Sequence, residues 1–171
     1  MKYLITLLAL IFFIPASPNG LHVYNNTSSY MLYYKIGAKP SNGNAYPVLY
    51  SMGLTGHFVS LGPLLDTSYI NAGGFPFYSP TSMPIITTWE RQLNATSTPI
   101  NTLSPLAQTL FGATHRYSQF KFYVEDNNGI VIGSGNVDPV NLTIPTQNSI
   151  GNGLWVSYFP TDDGSVHILL D

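Results

Sequence analysis

The sequence predicts an all-β protein: a single antiparallel β-sandwich of about nine or ten strands, with one short helix in a connection. Three observations lead to this fold class. Residues 117–135 and residues 154–170 each show a hairpin pattern. Elsewhere, clusters of turn-forming residues recur about every eight to twelve positions, a spacing typical of sandwiches and barrels.

Residues 1–16 are predicted to be a secretory signal peptide. Residues 4–14 are almost continuously apolar after a single Lys2, and Ala16 suits the last position before cleavage. The apolar run is shorter than the ~20 residues of a membrane-spanning helix, so no transmembrane segment is expected after cleavage. We therefore expect residues 17–171 to form one secreted, extracellular domain, with the bacterial periplasm or cell surface as the alternative location.

Polar residues 25–29 separate two apolar, tyrosine-rich segments, 21–24 and 30–36, which predict two strands. Residues 37–44, which follow, are rich in Gly, Pro and Asn and predict a turn or loop. Further strands are predicted over 46–52, 57–61 and 67–70.

The middle of the chain is predicted to contain a Pro/Gly-rich loop insertion around residues 72–116. Three prolines and two glycines in residues 72–86 exclude a long regular element there. Alternation over residues 85–93 predicts a strand, and a polar stretch, 94–102, leads to the one predicted helix.

The predicted helix begins at Ser104, which can act as its cap, with Pro105 in the first helical position. Leu106, Leu110 and Phe111 fall on one face before Gly112 ends it. The helix is expected to have one or two turns.

The hairpin at residues 117–135 is the clearest element. Residues 126–129 supply turn chemistry, and residues 130–132 resume an extended apolar run. Two sets of side chains alternate along its first strand: Ser118, Phe120, Phe122 and Val124 on one side, and Gln119, Lys121, Tyr123 and Glu125 on the other.

The C-terminal part is predicted to return to strands. A short strand is expected over residues 140–144, and residues 154–159 and 165–170 form the second hairpin around Pro160–Gly164. Because the chain ends inside a strand pattern, we expect its terminus to be paired into a sheet.

The composition of the chain excludes several classes of function. Charged residues make up only 8% of the chain, against roughly a quarter in ordinary soluble domains. Six basic against eight acidic residues form no basic run, so nucleic acid is not expected as a partner. The chain has no cysteine, which excludes disulfides, zinc thiolates and a thiol nucleophile.

No motif of catalysis or metal binding is present. The G-x-S-x-G pattern is absent, and the histidines at 22, 57, 115 and 167 lack metal-ligand spacing. The oxygen-rich turns at 125–128 and 162–163 depart from the calcium-loop pattern and are explained by turn chemistry. We expect no metal, no other cofactor and no catalytic residues.

Tyrosine, phenylalanine and tryptophan make up 13% of the chain. Exposed rings beside Asn, Gln and Ser are what a carbohydrate-binding surface needs, although the strand propensity of tyrosine also explains the excess. Trp155, in a strongly apolar strand, is predicted to be in the core. The candidate binding residues are Phe75, Phe77, Tyr78, Trp89 and Glu90.

Glu90 is included because it lies between Trp89 and Arg91. The alternative is a strand carboxylate paired with a cation across the sheet, and we favour that alternative. Four N-x-S/T sequons occur, at Asn25, Asn26, Asn94 and Asn141.

The leading hypothesis is a secreted, non-catalytic β-sandwich that binds a glycan or a protein surface through the aromatic loop region. One alternative is a structural or assembly component of an extracellular matrix or envelope complex, since a near-neutral surface favours self-association. An extracellular polymer-degrading hydrolase is a further alternative, but it requires a carboxylate pair that the sequence does not reveal.

Overall fold

The computed structural model describes residues 20–53, 58–70, 84, 86–137, 146–161 and 165–171. Within these ranges there are twelve strands and one helix, α1 (Ser104–Phe111). The strands are β1 (Gly20–Asn25), β2 (Met31–Pro40), β3 (Val48–Met52), β4 (Val59–Leu61), β5 (Leu65–Ile70), β6 (Thr88–Gln92), β7 (Ile100–Leu103), β8 (His115–Glu125), β9 (Val131–Val137), β10 (Thr146–Gly151), β11 (Leu154–Pro160) and β12 (Val166–Leu170).

The strands form two sheets. The five-stranded sheet has the order β10-β11-β12-β1-β5, and the seven-stranded sheet has the order β7-β6-β3-β2-β8-β9, with β4 also paired to β2. One contiguous core of buried side chains draws on both sheets. The predicted all-β sandwich with one short helix is confirmed.

Two details differ from the prediction. Strands β7 and β10 were not predicted, because their sequences, INTL and TQNSIG, lack an alternating apolar pattern. Strand β1 pairs with β12 in parallel, so the sheets are not antiparallel throughout. A parallel pair is possible here because the two strands are far apart in the chain and no hairpin fixes their direction.

The two predicted N-terminal strands, β1 and β2, belong to different sheets. The polar turn between them therefore carries the chain from one layer to the other. Asn25, at the end of β1, is fully buried at this crossing. Its side chain donates hydrogen bonds to the carbonyl oxygens of Tyr30, just before β2, and of Leu61 on β4.

The predicted hairpin at 117–135 is confirmed as β8 and β9. The Asp126 carboxylate closes the turn by accepting hydrogen bonds from the backbone N–H groups of Ile130 (2.9 Å) and Asn128 (2.8 Å). These bonds, that from Ile130 foremost, lower the pKa of Asp126. The predicted alternation also holds, since Phe120, Phe122 and Val124 are buried and the side chains between them are partly exposed.

Helix α1 lies where it was predicted, but the role assigned to Ser104 is wrong. Leu103 is the N-cap residue, and no side chain caps the helix. Ser104 is instead the first helical residue, and its hydroxyl donates to the Ile86 carbonyl oxygen at 2.6 Å. Ala107 faces the core, whereas Leu106 and Leu110 are exposed.

Three buried tyrosines lie in the core between the sheets. The hydroxyl groups of Tyr34 and Tyr69 are 2.5 Å apart, and Tyr69 donates its proton to the Pro84 carbonyl oxygen, so Tyr34 is the donor between them. Burial raises the pKa of Tyr69 to about 12. Burial likewise raises the pKa values of Tyr34 and Tyr117 well above their ordinary value.

These tyrosines predict a loss of stability at alkaline pH. In the unfolded chain they lose their protons near pH ~10. In the folded protein Tyr69 keeps its proton to about pH 12, and the pKa values of Tyr34 and Tyr117 are also raised well above the ordinary value. The folded state therefore binds more protons between those limits, and each group lowers the unfolding free energy by up to about 1.4 kcal/mol per pH unit there. Urea unfolding at pH 8, 9, 10 and 11 measures this slope.

Tyr117→Phe is the matched variant, because it removes just the hydroxyl, whose bond to the Tyr69 carbonyl oxygen is long, at 3.4 Å. This variant should fold normally and show a shallower slope by up to one proton. Equal stability of the wild-type protein at pH 9 and pH 11 would contradict the assignment.

Candidate functional site

The predicted binding residues do not form one surface in the described structure. Phe75, Phe77 and Tyr78 lie outside the described residues. Trp89 is 0% exposed, so its assignment to an exposed platform is wrong. Glu90 lies on the outer face of the seven-stranded sheet, and its pairing with a cation across the sheet, the favoured alternative, is confirmed.

Both tryptophans lie in the environment opposite to the predicted one: Trp89 is buried and Trp155 is exposed. Trp89 is in the core, where its indole Nε1 donates to the Ser104 hydroxyl at 3.0 Å. Trp155, predicted to be in the core, is 43% exposed. Leu154, Val156 and Tyr158 fill the core side of β11 instead, and the alternation of the strand then turns Trp155 outward.

Strand register brings Glu90 beside residues that are distant in sequence. Tyr50 on β3 is directly opposite Glu90 on β6, and on its other side it is opposite Gly37 on β2. A Cβ at Gly37 would lie 3.1 Å from Tyr50 Cε1 and 2.9 Å from Gln119 Cβ. Glycine at this position therefore leaves room for the tyrosine ring to lean over β2.

Two lysines flank this ring. Lys35 Nζ lies 5.5 Å from the Tyr50 ring centroid, and Lys121 Nζ lies 5.3 Å from it, both within cation–π range. Lys35 also forms an ion pair of 2.9 Å with Glu90 Oε2, and the side chains of the pair are 13% and 20% exposed. The Tyr50 ring therefore contacts both ammonium groups, and the ion pair joins one of them to Glu90.

These groups line a shallow cavity of about 140 Å³. Its walls are Lys35, Tyr50, Glu90, Gln92, Pro99 and Lys121. Burial is the main cause that raises the pKa of Tyr50, with further contributions from the nearby Tyr46 and Glu90. Its hydroxyl is therefore protonated at neutral pH and can donate a hydrogen bond.

A second group of rings lies along the same strands. The rings of Tyr33 and Tyr123, directly opposite on β2 and β8, stack at 4.7 Å, and Phe58 packs edge-on against Tyr123. Tyr33 and Tyr123 are two residues along their strands from Lys35 and Lys121. We call the cavity residues together with Tyr33, Tyr123 and Phe58 the aromatic–lysine face.

The outer face of the five-stranded sheet also carries rings, but they cover one another. His167 stacks on His22 at 4.5 Å and on Phe159 at 5.1 Å, with ring planes within 13° of parallel. Tyr24 donates or accepts a hydrogen bond of 3.2 Å at His167 Nδ1. Such cross-strand stacking stabilises the sheet.

A larger cavity, of about 420 Å³, lies between residues 40–47 and the end of α1, and none of the described residues that line it is Lys, Arg, Asp or Glu. Its polar groups are used locally: the Asn42 side chain accepts from the Asn44 N–H, and the Ser41 hydroxyl donates to the Thr114 carbonyl oxygen. His115 in its wall has a pKa lowered by burial. The described lining of this cavity therefore lacks the ammonium and carboxylate groups of the aromatic–lysine face.

The groups on the aromatic–lysine face can contact a ligand through hydrogen bonds, charge and aromatic rings. Among its described lining residues the cavity has a single carboxylate, Glu90, which is held by Lys35. Within the described ranges, no three His, Cys, Asp or Glu side chains are grouped so that they could hold a metal ion. No helix among the described residues has the length and apolar character to cross a membrane.

Sequence reasoning found Glu90 but missed Lys35, Tyr50 and Gln92 as its neighbours. Alternation did place Lys121 on the outer side of β8, but nothing local indicated which strands lie beside it. The fold defines the chain as a β-sandwich with a mixed aromatic and charged face. Comparisons with models of protein families, with curated proteins and with solved structures gave no match.

Proposed function

We propose that this chain is a secreted, non-catalytic module that binds a glycan on the aromatic–lysine face. Export follows from the predicted signal peptide at residues 1–16. Glycan binding is supported by a ring and hydrogen-bonding groups that strands, rather than loops, hold in place.

Tyr50 is the observation that carries the proposal. Its ring leans over Gly37, where no side chain intervenes, and it is surrounded by Lys35, Glu90 and Lys121. A sugar has an apolar C–H face and a rim of hydroxyl groups. A tyrosine ring suits the C–H face, since it is apolar in the middle and polar at its tip.

The surrounding groups match the hydroxyl rim. Glu90 can accept hydrogen bonds from sugar hydroxyls, the two ammonium groups can donate them, and Gln92 can do both. A small apolar site with a few oriented polar groups is the usual form of a ligand site. Here the ion pair places one donor, Lys35, beside the acceptor, Glu90.

The proposal predicts that Tyr50→Ala weakens glycan binding. A glycan array and polysaccharide pull-downs with the purified protein should identify a ligand, and Tyr50→Ala should weaken its affinity at least about tenfold, as expected for a central aromatic contact. Tyr24→Ala is the matched control, because Tyr24 is a partly exposed tyrosine on the other sheet. It should bind as the wild-type protein does.

Two results would contradict this proposal. One is the absence of saturable binding to any glycan. The other is equal binding by the wild-type protein and Tyr50→Ala, with both folded by circular dichroism.

Self-association is a second candidate function, favoured by one observation. Leu103, Leu106 and Leu110 are all exposed around α1, and exposed apolar patches often mark interaction sites. Light scattering of the same samples separates the two candidates, since concentration-dependent oligomers without glycan binding favour assembly.

A further inference from the structure

We infer that the glycan bound by the aromatic–lysine face is acidic, and that a uronate carboxylate is held by Lys121 beside the Tyr50 ring. This inference rests on the proposed glycan-binding function. It names the class of sugar that the site selects.

The first observation is the charge of the cavity. Two ammonium groups, those of Lys35 and Lys121, line it together with one carboxylate, that of Glu90. Lys35 is paired with Glu90 at 2.9 Å, whereas Lys121 has no carboxylate within ion-pair distance among the described residues. The described walls therefore carry one uncompensated positive charge, in a chain whose formal net charge is −2.

The second observation is the register of the two lysines. Lys35 and Lys121 are directly opposite each other on β2 and β8. Like charges in directly opposite positions destabilise a sheet. An anion bound between the ammonium group of Lys121 and the Tyr50 ring would offset this repulsion, so the site is arranged for a negative ligand at some cost to the free protein.

The described neighbouring groups on the same face do not supply that anion. Glu125 is four residues from Lys121 along β8, about 13 Å at the usual rise of a strand, and its carboxylate interacts with the Tyr33 hydroxyl. Across from Lys121 on the other side, β9 presents the neutral Asn136. The Tyr50 hydroxyl remains protonated at neutral pH because burial raises its pKa.

The size of the cavity limits what enters it. At about 140 Å³, it is small beside the roughly 300–1,000 Å³ of pockets for drug-sized ligands. It therefore takes one acidic sugar residue of a longer chain, with the adjoining residues lying along the Tyr33–Tyr123 rings. Glu90 would repel a second carboxylate, so the site admits one.

The test compares two ligands that differ in charge and by one methyl group per residue. Oligomers of polygalacturonic acid and the same oligomers after methyl esterification are titrated into the wild-type protein by calorimetry. The acid form should bind at least tenfold more tightly than the ester. Because salt screens exposed charges, this preference should shrink when NaCl rises from 0.05 to 0.5 M.

Variants locate the effect. Lys121→Gln should lower the affinity for the acid form at least about tenfold and remove the preference for the acid over the ester. Lys39→Gln, which changes an exposed lysine on β2 outside the cavity, should keep the preference.

Equal affinity for acid and ester, with both lost in Tyr50→Ala, would overturn the acidic specificity and leave the glycan-binding function standing. Absence of binding by either oligomer, with a neutral glycan bound on the array, would do the same. Absence of binding to every glycan would overturn both.

Discussion

Replacing Trp89 with alanine is expected to lower the free energy of unfolding by about 3–5 kcal/mol, the range for removal of a large buried aromatic ring. Trp89 is fully buried, and its indole N–H donates to the Ser104 hydroxyl. Ser104 in turn donates to the Ile86 carbonyl oxygen, so the indole connects β6 to the start of α1. Urea denaturation followed by far-ultraviolet circular dichroism measures the loss.

The matched variant is Trp89→Phe, which keeps a ring but removes the N–H donor. It should lose less stability than the alanine variant, about 1–3 kcal/mol, because the Ser104 hydroxyl oxygen then lacks this buried partner. It should also keep its affinity for the glycan, since Trp89 faces the core and not the aromatic–lysine face. A loss below about 1 kcal/mol in Trp89→Ala would show that the ring is not part of the packed core.

Replacing Asn25 with aspartate is expected to be comparably severe, at about 3–5 kcal/mol, because it leaves an uncompensated buried charge. The Asn25 side-chain Nδ2 donates to the carbonyl oxygens of Tyr30 (2.8 Å), Leu61 (3.1 Å) and Gly62 (3.0 Å). Its Oδ1 accepts from the Thr27 hydroxyl at 2.7 Å. Aspartate keeps the shape but turns a carboxylate oxygen towards these carbonyl oxygens.

The neighbouring residue supplies the control for this prediction. Asn26→Asp makes the same chemical change at an exposed position, where the side chain meets Asp171. It should change stability by no more than about 0.5–1 kcal/mol. Equal stability of Asn25→Asp and Asn26→Asp in urea at pH 7 would refute the role of Asn25 as the connection between the two layers.

Burial of Asn25 also determines whether its sequon can carry a glycan in the folded protein. The side chain of Asn25 is enclosed in the folded protein, so a glycan attached there is incompatible with this structure. Asn26 and Asn94 are exposed, and Asn141 lies outside the described residues.

The parts of the fold that were predicted correctly depend on local chemistry. The β8–β9 hairpin has both a period of two and an Asp126–Gly129 turn, so neighbouring residues are enough to define it. The same holds for the hairpin of β11 and β12 and for Pro105 near the start of α1. Strands β7 and β10 lack such signals, because they lie at sheet edges with mostly exposed side chains.

The orientation of a strand is harder to predict than its existence. Residues 154–159 carry large apolar side chains on both faces, so alternation alone does not show whether Trp155 or Val156 points inward. On β6, Glu90 and Gln92 share the face opposite Trp89, which was a signal that the indole is buried.

The candidate site could not be assembled from the sequence because it depends on pairing between distant strands. Lys35, Tyr50, Glu90 and Lys121 come from four different strands, and only the order β6-β3-β2-β8 brings them together. A shift of one residue in any of these registers would turn a side chain of the set to the other face. The reason for a glycine at position 37 becomes clear only from the position of the Tyr50 ring, which leans over it.

The central claim is that a glycan binds across the aromatic–lysine face, and chemical-shift mapping tests it most directly. Isotope-labelled protein is titrated with the tightest ligand from the array, and backbone amide shifts are followed. The account predicts saturable changes concentrated at residues 33–37, 48–52, 88–92 and 119–123, with little change at residues 20–25 and 154–170. Changes concentrated on the five-stranded sheet, or at residues 40–47 and 110–115, would contradict it and move the site to another face of the sandwich.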